Sequence, residues 1–143
     1  MIWRVIGLET HNAYFNMAAD QAIMESVSRD ESRPTIRFYR WKPSAVSIGC
    51  FQSMKDEVDI ERCRELGVDR VRRRTGGGAV FHDTNGEITY SVITKEADMP
   101  KGIHESYRRI SSWIISGLKA VGIDAAYAPY RLVRYLCRID LEH

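Results

Sequence analysis

Residues 72–93 read RRRTGGGAVFHDTNGEITYSVI, and this stretch is the most informative part of the sequence for both fold and chemistry. Three consecutive glycines, Gly76–Gly78, follow a run of arginines. Because glycine has no β-carbon, the backbone is free to approach a ligand closely and to direct several N–H groups at one point. Arginine side chains add positive charge and paired donors for the same acceptors. The stretch therefore predicts a loop that binds phosphate or carboxylate oxygens.

The glycine run differs from the two common nucleotide-binding loops. It has no GKS or GKT and no helix-forming run after it, and it lacks the GxGxxG spacing of dinucleotide-binding folds. A flexible loop beside a solvated basic face is the open alternative. Nucleic-acid binding is disfavoured, because the arginines are confined to one short stretch and 21 basic against 19 acidic residues leave a net charge of only +2.

The second half of the stretch predicts a β-hairpin. Residues 79–83 and 87–93 flank the dipeptide Asn85-Gly86, and both residues of this dipeptide tolerate the positive φ of a type I′ turn. Apolar and polar residues alternate in the second arm. The alternation predicts one apolar face, formed by Ile88, Tyr90 and Val92.

Patterns on either side of this stretch predict the remaining elements. Upstream these are a strand at 2–8, a helix capped by Asn16, strands at 35–41 and 45–48, a helix at 59–66 before Gly67, and a strand at 68–73. Downstream, apolar residues at helical spacing from Ile103 to Val121 predict an amphipathic helix ended by Gly122, and a short strand is expected around 124–127. Strands follow one another between helices, so the predicted fold class is α+β, with a mixed β-sheet flanked by helices.

Composition narrows the class of protein. The 143 residues, 44% hydrophobic and 28% charged, are typical of one globular domain rather than of a disordered chain. No apolar run approaches the ~20 residues of a membrane-spanning helix, and the N-terminal residues lack a signal-peptide pattern. We therefore expect a soluble cytoplasmic protein with no membrane association. Three widely spaced cysteines and four histidines form no ligand pair, so neither a disulfide framework nor a bound metal is expected.

The glycine stretch is recognisable as a family signature. RRRTGGGAVFHD closely resembles the RRxSGGGAVxHD motif of lipoate–protein ligase A, in the biotin/lipoate ligase superfamily. Residues 16–20 resemble the first-helix pattern of that family. Residues 37–53 resemble a family segment that contains a Trp, a Val, an Ile-Gly pair and a Gln, with Trp41, Val46, Ile48, Gly49 and Gln52 in register. The resemblance covers about residues 2–128, and it implies the fold of the superfamily's catalytic domain.

The resemblance also implies an activity. Enzymes of this family activate lipoate with ATP, accompanied by Mg²⁺, to give lipoyl-adenylate and pyrophosphate. They then transfer the lipoyl group to a lysine of a carrier domain, either of a 2-oxoacid dehydrogenase complex or of the glycine-cleavage H protein. Because a carboxylate and a phosphate must be joined, cationic side chains and backbone donors are needed to offset their repulsion.

The family pattern assigns the binding residues. Arg73 is expected to contact the nucleotide phosphates, and residues 76–81 are expected to line the adenylate. Thr75 keeps the hydroxyl of the family's serine, whereas His82 is either beside the ligand or simply packed in the predicted hairpin. Val46, Ile48 and Gly49 are expected either to line a lipoyl tunnel or to lie in the core. The complete expected binding set is Arg72, Arg73, Thr75, Gly76, Gly77, Gly78, Ala79, Val80, Phe81 and His82.

One departure from the family limits what carries over. The family has a catalytic lysine in a GxKxxG-like context after the long helix, and the last lysines here, Lys95, Lys101 and Lys119, do not match it. Residues 1–130 are therefore expected to be the N-terminal part of a ligase-like catalytic domain. Residues 131–143 are expected to be an atypical tail, from a changed reading frame or a purification-tag junction. No catalytic residue is assigned. Either the lysine segment is on another chain, or its loss is expected to lower activity.

Two other functions remain open. An acyltransferase of the same superfamily moves octanoyl groups between carrier proteins through a Cys or Lys nucleophile. Cys137 lies downstream of the glycines, but its neighbours do not resemble that nucleophile's setting, and a structural thiol is the expectation. The third hypothesis is a non-catalytic module that retains ligand or partner binding.

Overall fold

The structure is a computed structural model that describes residues 2–127, and the chain divides into two units between Lys95 and Glu96. The first unit contains six strands and three helices. In chain order they are β1 (Arg4–His11), α1 (Ala13–Ser28), β2 (Thr35–Trp41), β3 (Ala45–Ile48), α2 (Met54–Glu57), α3 (Ile60–Glu65), β4 (Asp69–Arg72), β5 (Val80–His82) and β6 (Thr89–Ile93). The second unit contains a 3₁₀ turn, Glu96–Asp98, and α4 (Ile103–Ala120).

The strands form two three-stranded mixed sheets. In the first sheet β2 lies in the middle, parallel to β1 and antiparallel to β6. In the second sheet β3 lies in the middle, parallel to β4 and antiparallel to β5. The predicted α+β class with mixed strand pairing is confirmed, with the pairing divided between two sheets.

The core of the first unit is built around β2, whose alternate side chains are buried. Tyr39 and Trp41 of this strand pack with Ala13 and Ala45, which brings α1 and β3 against the same face. A second cluster, Ile48, Val58 and Cys63, lies beside the second sheet, with Val46 and Ala79 packed on it. These two clusters support the strand ends that carry the glycine loop.

The predicted hairpin is wrong. β5 pairs with β3, with Val46 opposite Phe81, whereas β6 pairs with β2, with Tyr39 opposite Thr89. The two arms therefore lie in different sheets, and neither Asn85 nor Gly86 has a positive φ. The local turn signal is overridden because each arm finds a partner strand whose buried polar groups it can satisfy.

The predicted apolar face of β6 is also the more exposed side of that strand. Ile88 is 54% exposed and Tyr90 is 44% exposed. The polar residues that follow each of them make interior contacts: the Thr89 hydroxyl accepts from Trp41 Nε1 at 2.7 Å, and Ser91 Oγ donates to Asp20 at 2.9 Å. The alternation is present, but the polar residues Thr89 and Ser91 make the interior hydrogen bonds, and Val92 is half-buried as they are.

Helix boundaries differ from the prediction at the first helix. The N-cap of α1 is Asn12, whose Oδ1 accepts from the Phe15 N–H at 2.8 Å. Asn16 lies inside the helix, fully buried, and its side-chain amide donates to the carbonyl oxygens of His11 and Arg40. α3 lies within the predicted range, and Gly67 follows it with a φ of +64°.

In the second unit the predicted amphipathic helix is confirmed as α4, and Gly122 beyond its end has a φ of +82°. Residues 124–127 do not form the predicted strand. The predicted tail at 131–143, including Cys137, and the preceding residues 128–130 lie outside the described residues. Among residues 2–127, none of the helices has the length and apolar character needed to cross a membrane.

Candidate functional site

The glycine loop, residues 73–79, connects β4 to β5 and lies at the C-terminal end of β3. Both of these strands pair with β3, so the loop crosses over the point where β3 ends and the chain turns at Gly49–Ser53. The Arg73 N–H donates to the Ile48 carbonyl at 2.8 Å, and the Cys50 N–H donates to the Thr75 carbonyl at 2.9 Å. The topology therefore holds the loop against the turn at 49–53.

The Arg73 guanidinium is bound inside the loop. Its Nη1 donates to the Ser47 carbonyl at 2.9 Å and to Ser47 Oγ at 2.8 Å. Its Nη2 donates to the carbonyl oxygens of Gly76 at 3.1 Å and Gly78 at 2.9 Å. Burial lowers the pKa of Arg73, but a guanidinium begins so high that it stays charged at neutral pH. The structure thus places a fixed positive charge behind the loop and turns two loop carbonyls inward.

Arg72 is engaged on the other side of the turn. Its Nη1 donates to the carbonyl oxygens of Gly49, Cys50 and Gln52. The Gln52 side chain accepts in turn from the Gly49 N–H at 2.9 Å. Arg72 therefore fixes the shape of the turn at 49–53, and the family-like Gln52 closes it.

The backbone N–H groups of the loop differ from its carbonyl groups in their hydrogen bonding. With the carbonyls of Thr75, Gly76 and Gly78 turned toward protein donors, no hydrogen bond leads from the N–H groups of residues 76–79 to another residue in the part of the chain that the structure describes. Gly77 has a φ of +94°, and Thr75 and the three glycines are exposed. A row of N–H groups without internal acceptors is the arrangement that binds an anion or a developing negative charge.

His82 lies beneath the loop, 6% exposed. Its Nε2 is 2.7 Å from Ser47 Oγ, its Nδ1 is 2.8 Å from Glu87 Oε1, and its ring stacks on Trp41 at a centroid distance of 4.0 Å. Burial lowers the pKa of His82 from its ordinary 6.5, and the neighbouring Glu87 carboxylate opposes the shift. The imidazole is therefore neutral at pH 7, with both ring nitrogens bonded to the protein. His82 thus bonds and packs within the protein, and its predicted place beside a ligand stays a prediction.

The other predicted binding residues divide between surface and core. Val80 and Phe81 are 42% and 37% exposed at the start of β5. Ala79 and Val46 pack on the cluster that contains Ile48, so two of the three predicted tunnel residues, Val46 and Ile48, belong to that apolar cluster. Phe51, which the sequence analysis did not single out, is 95% exposed on the turn at 49–53.

Sequence reasoning also missed the residues that support His82. Ser47 is fully buried in β3, and Glu87 precedes β6 with Thr89 donating to it and Trp41 donating to Thr89. The available signal was Ser47 itself, a hydroxyl between Val46 and Ile48 in a strand that is otherwise apolar. Within residues 2–127, no group of three or more His, Cys, Asp and Glu side chains is placed to hold a metal ion.

Comparison with known proteins gives consistent matches. The profile of the lipoyl protein ligase A/B catalytic domain matches residues 12–142. Octanoyltransferase LipM of Staphylococcus epidermidis is 44% identical over 129 residues, which are 89% of this chain and 46% of that protein. The chain therefore spans about half the length of the curated relatives it matches.

Solved structures agree. The crystal structure of lipoate-protein ligase A bound with ATP matches with a TM-score of 0.75 and 32% identity, covering 90% of this chain and 51% of that one. A bipartite lipoate protein ligase of Thermoplasma acidophilum, solved in a study of that ligase and its E2 lipoyl domain, matches with a TM-score of 0.71 and 30% identity, covering 90% and 49%. Given the signature loop, its position over the end of β3 and these matches, the chain belongs to the lipoyl protein ligase A/B catalytic domain family.

Proposed function

We propose that this chain provides the acyl-binding part of an octanoyltransferase that moves an octanoyl group from one carrier protein to a lysine of a lipoyl carrier domain. The observation that carries the proposal is the row of N–H groups at residues 76–79, which have no hydrogen-bond acceptor among residues 2–127 and are backed by the Arg73 charge. The 44% identity to octanoyltransferase LipM supports acyl transfer over the ATP-dependent ligation that the sequence analysis placed first.

The chemistry suits such a loop. When a thioester or amide carbonyl is attacked, its oxygen becomes an oxyanion, and fixed N–H donors stabilise that charge without reorganising. Removing one such donor typically costs ~10²–10³-fold in rate. The Arg73 guanidinium behind the loop adds a positive charge that does not itself need to touch the acyl group.

The nucleophile is not assigned. Cys63 is buried and burial raises its thiol pKa, which disfavours the reactive thiolate. Cys50 is partly exposed on the turn at 49–53, and Cys137 lies outside the described residues. The division into a catalytic part at 1–130 and an atypical tail at 131–143 stays a prediction, as does the expected cytoplasmic location.

A second candidate is ATP-dependent lipoate ligation, favoured by the match to lipoate-protein ligase A bound with ATP. The same row of N–H groups would then hold phosphate oxygens of ATP or of lipoyl-adenylate, with Mg²⁺ carried on the ATP phosphates. For either candidate the proposed acceptor is a lipoyl domain of a 2-oxoacid dehydrogenase complex or the glycine-cleavage H protein. A relative solved together with study of its E2 lipoyl domain supports that partner class.

One reconstitution separates the candidates. The 143-residue chain is incubated with an apo lipoyl domain and octanoyl carrier protein without ATP, or with lipoate, ATP and Mg²⁺, and the intact mass of the acceptor is recorded. Octanoylation without ATP supports the transferase, and lipoylation that requires ATP supports the ligase instead.

If the acceptor mass changes under neither condition, the proposal for this chain is overturned. The matched control pair is Arg73→Ala, which should abolish modification, and Arg62→Ala, which should not. Arg62 lies on the exposed face of α3, paired with Glu65 at 2.9 Å and away from the loop.

A further inference from the structure

Three side chains behind the glycine loop form a continuous hydrogen-bonded path to Arg73. Glu87 Oε1 is 2.8 Å from His82 Nδ1, His82 Nε2 is 2.7 Å from Ser47 Oγ, and Ser47 Oγ is 2.8 Å from Arg73 Nη1. Arg73 Nη2 then reaches the Gly76 and Gly78 carbonyls. The path begins at Glu87, just before β6, and passes through His82 on β5 and Ser47 on β3. It ends at the glycine loop that the proposed function uses.

Hydrogen positions along this path follow from the partners. Arg73 has only donors, so Ser47 Oγ accepts from Nη1 and its own hydrogen is free to point at His82 Nε2. The imidazole then carries its hydrogen on Nδ1, which donates to the Glu87 carboxylate. With the opposite tautomer, Nδ1 would face the carboxylate without a hydrogen and the Ser47 hydroxyl would have no acceptor here. Glu87 therefore selects the tautomer in which the Ser47 hydroxyl donates to His82 Nε2 while it accepts from Arg73.

The order Ser–His–Glu matches that of a hydrolase catalytic triad, but Ser47 is buried too deeply to serve as its nucleophile. Ser47 is fully buried, and its hydroxyl lies between the imidazole and the Arg73 guanidinium. An activated nucleophile must reach a substrate carbonyl, which this oxygen does not. His82 stacks on Trp41 and has no free nitrogen for proton exchange with a ligand.

We propose that Ser47, His82 and Glu87 are positioning residues that act through Arg73: they hold its guanidinium in the orientation that turns the Gly76 and Gly78 carbonyls inward and the loop N–H groups outward. This inference rests on the proposed function in that the oriented loop is the acyl-binding one. An error of about 1 Å in such a group is enough to cost ~10²-fold in rate.

The test uses the 143-residue chain and three variants. Ser47→Ala breaks the path at its centre, Glu87→Ala removes the carboxylate, and Glu87→Gln keeps an acceptor oxygen for Nδ1–H without the charge. Glu61→Ala, on the exposed Arg64 pair, is the control. Circular dichroism and thermal melting confirm folding, and the partly exposed Glu87 gives a variant pair that is informative even if Ser47→Ala does not fold.

The first readout is nitrogen-15 NMR of the side chains, which does not depend on activity. In the parent chain we expect a protonated Nδ1 and unprotonated Nε2 in His82, and separate, slowly rotating Nη signals for Arg73. Ser47→Ala and Glu87→Ala should average the Arg73 signals and shift the Gly76–Gly78 amides, while Glu87→Gln and Glu61→Ala should not. If Arg73 and the glycine amides keep their parent signals in both alanine variants, the positioning role is overturned.

The second readout is the rate of octanoyl transfer to an apo lipoyl domain. Ser47→Ala and Glu87→Ala should lower kcat by ~10–100-fold with a smaller change in KM, and Glu87→Gln should recover most of the rate. A rate unchanged in the alanine variants but lost in Arg73→Ala overturns the positioning role and leaves the proposed function standing. No transfer by the parent chain overturns the proposed function, and the NMR result still decides the positioning role.

Discussion

Gly49 and Gly77 lie in direct contact: a β-carbon at residue 49 would be 2.1 Å from the Gly77 carbonyl oxygen and 3.1 Å from the Gly76 carbonyl carbon. No real β-carbon tolerates that separation, so the glycine loop and the turn after β3 fit only if residue 49 lacks a side chain. The atoms that a β-carbon at residue 49 would meet belong to the loop's backbone rather than to a flexible side chain. The clash can therefore be relieved only if the loop moves.

Gly49→Ala should therefore displace the loop and lower acyl transfer by ~10²-fold, since the N–H row would leave its position. The overpacking should also cost about 1–3 kcal/mol of unfolding free energy. Transfer rates and urea unfolding measure the two effects. Gly7→Ala is the control because nothing lies within 4 Å of the added carbon. Wild-type transfer by Gly49→Ala would contradict the close contact.

Gly77 and Gly78 should respond differently to alanine. Gly77 has a φ of +94°, and its added carbon would be 3.3 Å from Arg73 Nη2, whereas Gly78 has neither a positive φ nor an atom within 4 Å of the added carbon. Gly77→Ala should lose about 1–2 kcal/mol of stability and disturb Arg73, because an alanine resists the left-handed region. Gly78→Ala should stay within ~0.5 kcal/mol of the parent. Thermal unfolding of both variants is the measurement, and equal losses would rule out the backbone argument.

Most elements of the fold could be predicted from local patterns, and the sheet partners could not. The strand predicted at Thr35–Trp41 and the helical spacing from Ile103 to Val121 correspond to β2 and α4. The Asn85-Gly86 signal failed because strand pairing is decided by residues far along the chain, here by Ser47 for His82 and by Trp41 for Thr89. Turn chemistry is local, whereas buried hydrogen-bond satisfaction is not.

The candidate site could be located from the sequence, but the part each residue plays could not. The signature brought Arg72, Arg73 and the glycines to attention as ligand contacts. In the structure both arginines donate to protein oxygens, which leaves the backbone N–H groups of residues 76–79 as the donors without an acceptor among the described residues. A sequence motif states which residues are needed at a site, and only the geometry distinguishes a residue that touches a ligand from one that shapes the loop around it.

Acidification should weaken the folded state through His82. Burial holds the pKa of this imidazole below its ordinary 6.5, with Glu87 opposing the shift and Arg73 reinforcing it. Between the folded pKa and 6.5 the unfolded chain binds more protons than the folded one, so the free energy of unfolding falls as the pH drops through that window. Above 6.5 this contribution is fully present.

The check on this pH dependence is urea unfolding at several pH values from neutral to acidic, for the parent chain and His82→Gln. The variant should be less stable throughout, since its side chain does not reproduce both hydrogen bonds and the Trp41 stacking. The part of the pH dependence of the unfolding free energy that His82 contributes should be missing in the variant. An identical slope in both proteins would show that another group titrates.

Among the carboxylates of the first unit, Asp20 should contribute most to the free energy of unfolding, because it pairs with the buried Arg37. Arg37 is 1% exposed and donates to Asp20 Oδ1 at 3.0 Å and to Asn16 Oδ1 at 2.7 Å. Asp20 also accepts from the hydroxyls of Tyr39 and Ser91. Its removal therefore leaves two hydroxyls without this acceptor, and among residues 2–127 the buried Arg37 keeps only Glu9, at 4.0 Å, as an ion-pair partner. A buried charge that loses its best-placed partner is costly.

Asp20→Ala should lower the free energy of unfolding by about 3 kcal/mol, the lower end for a broken buried pair because the Asp20 side chain is one-fifth exposed (21%). Asp20→Asn should lose less, since its oxygen still accepts. Glu65→Ala, which breaks the exposed pair with Arg62, should change stability by no more than ~0.5 kcal/mol. Denaturant unfolding of the three variants measures these differences. If Asp20→Ala and Glu65→Ala lose the same free energy of unfolding, water must reach Arg37 in solution. The cluster of Asn16, Asp20 and Arg37 would then be hydrated rather than buried.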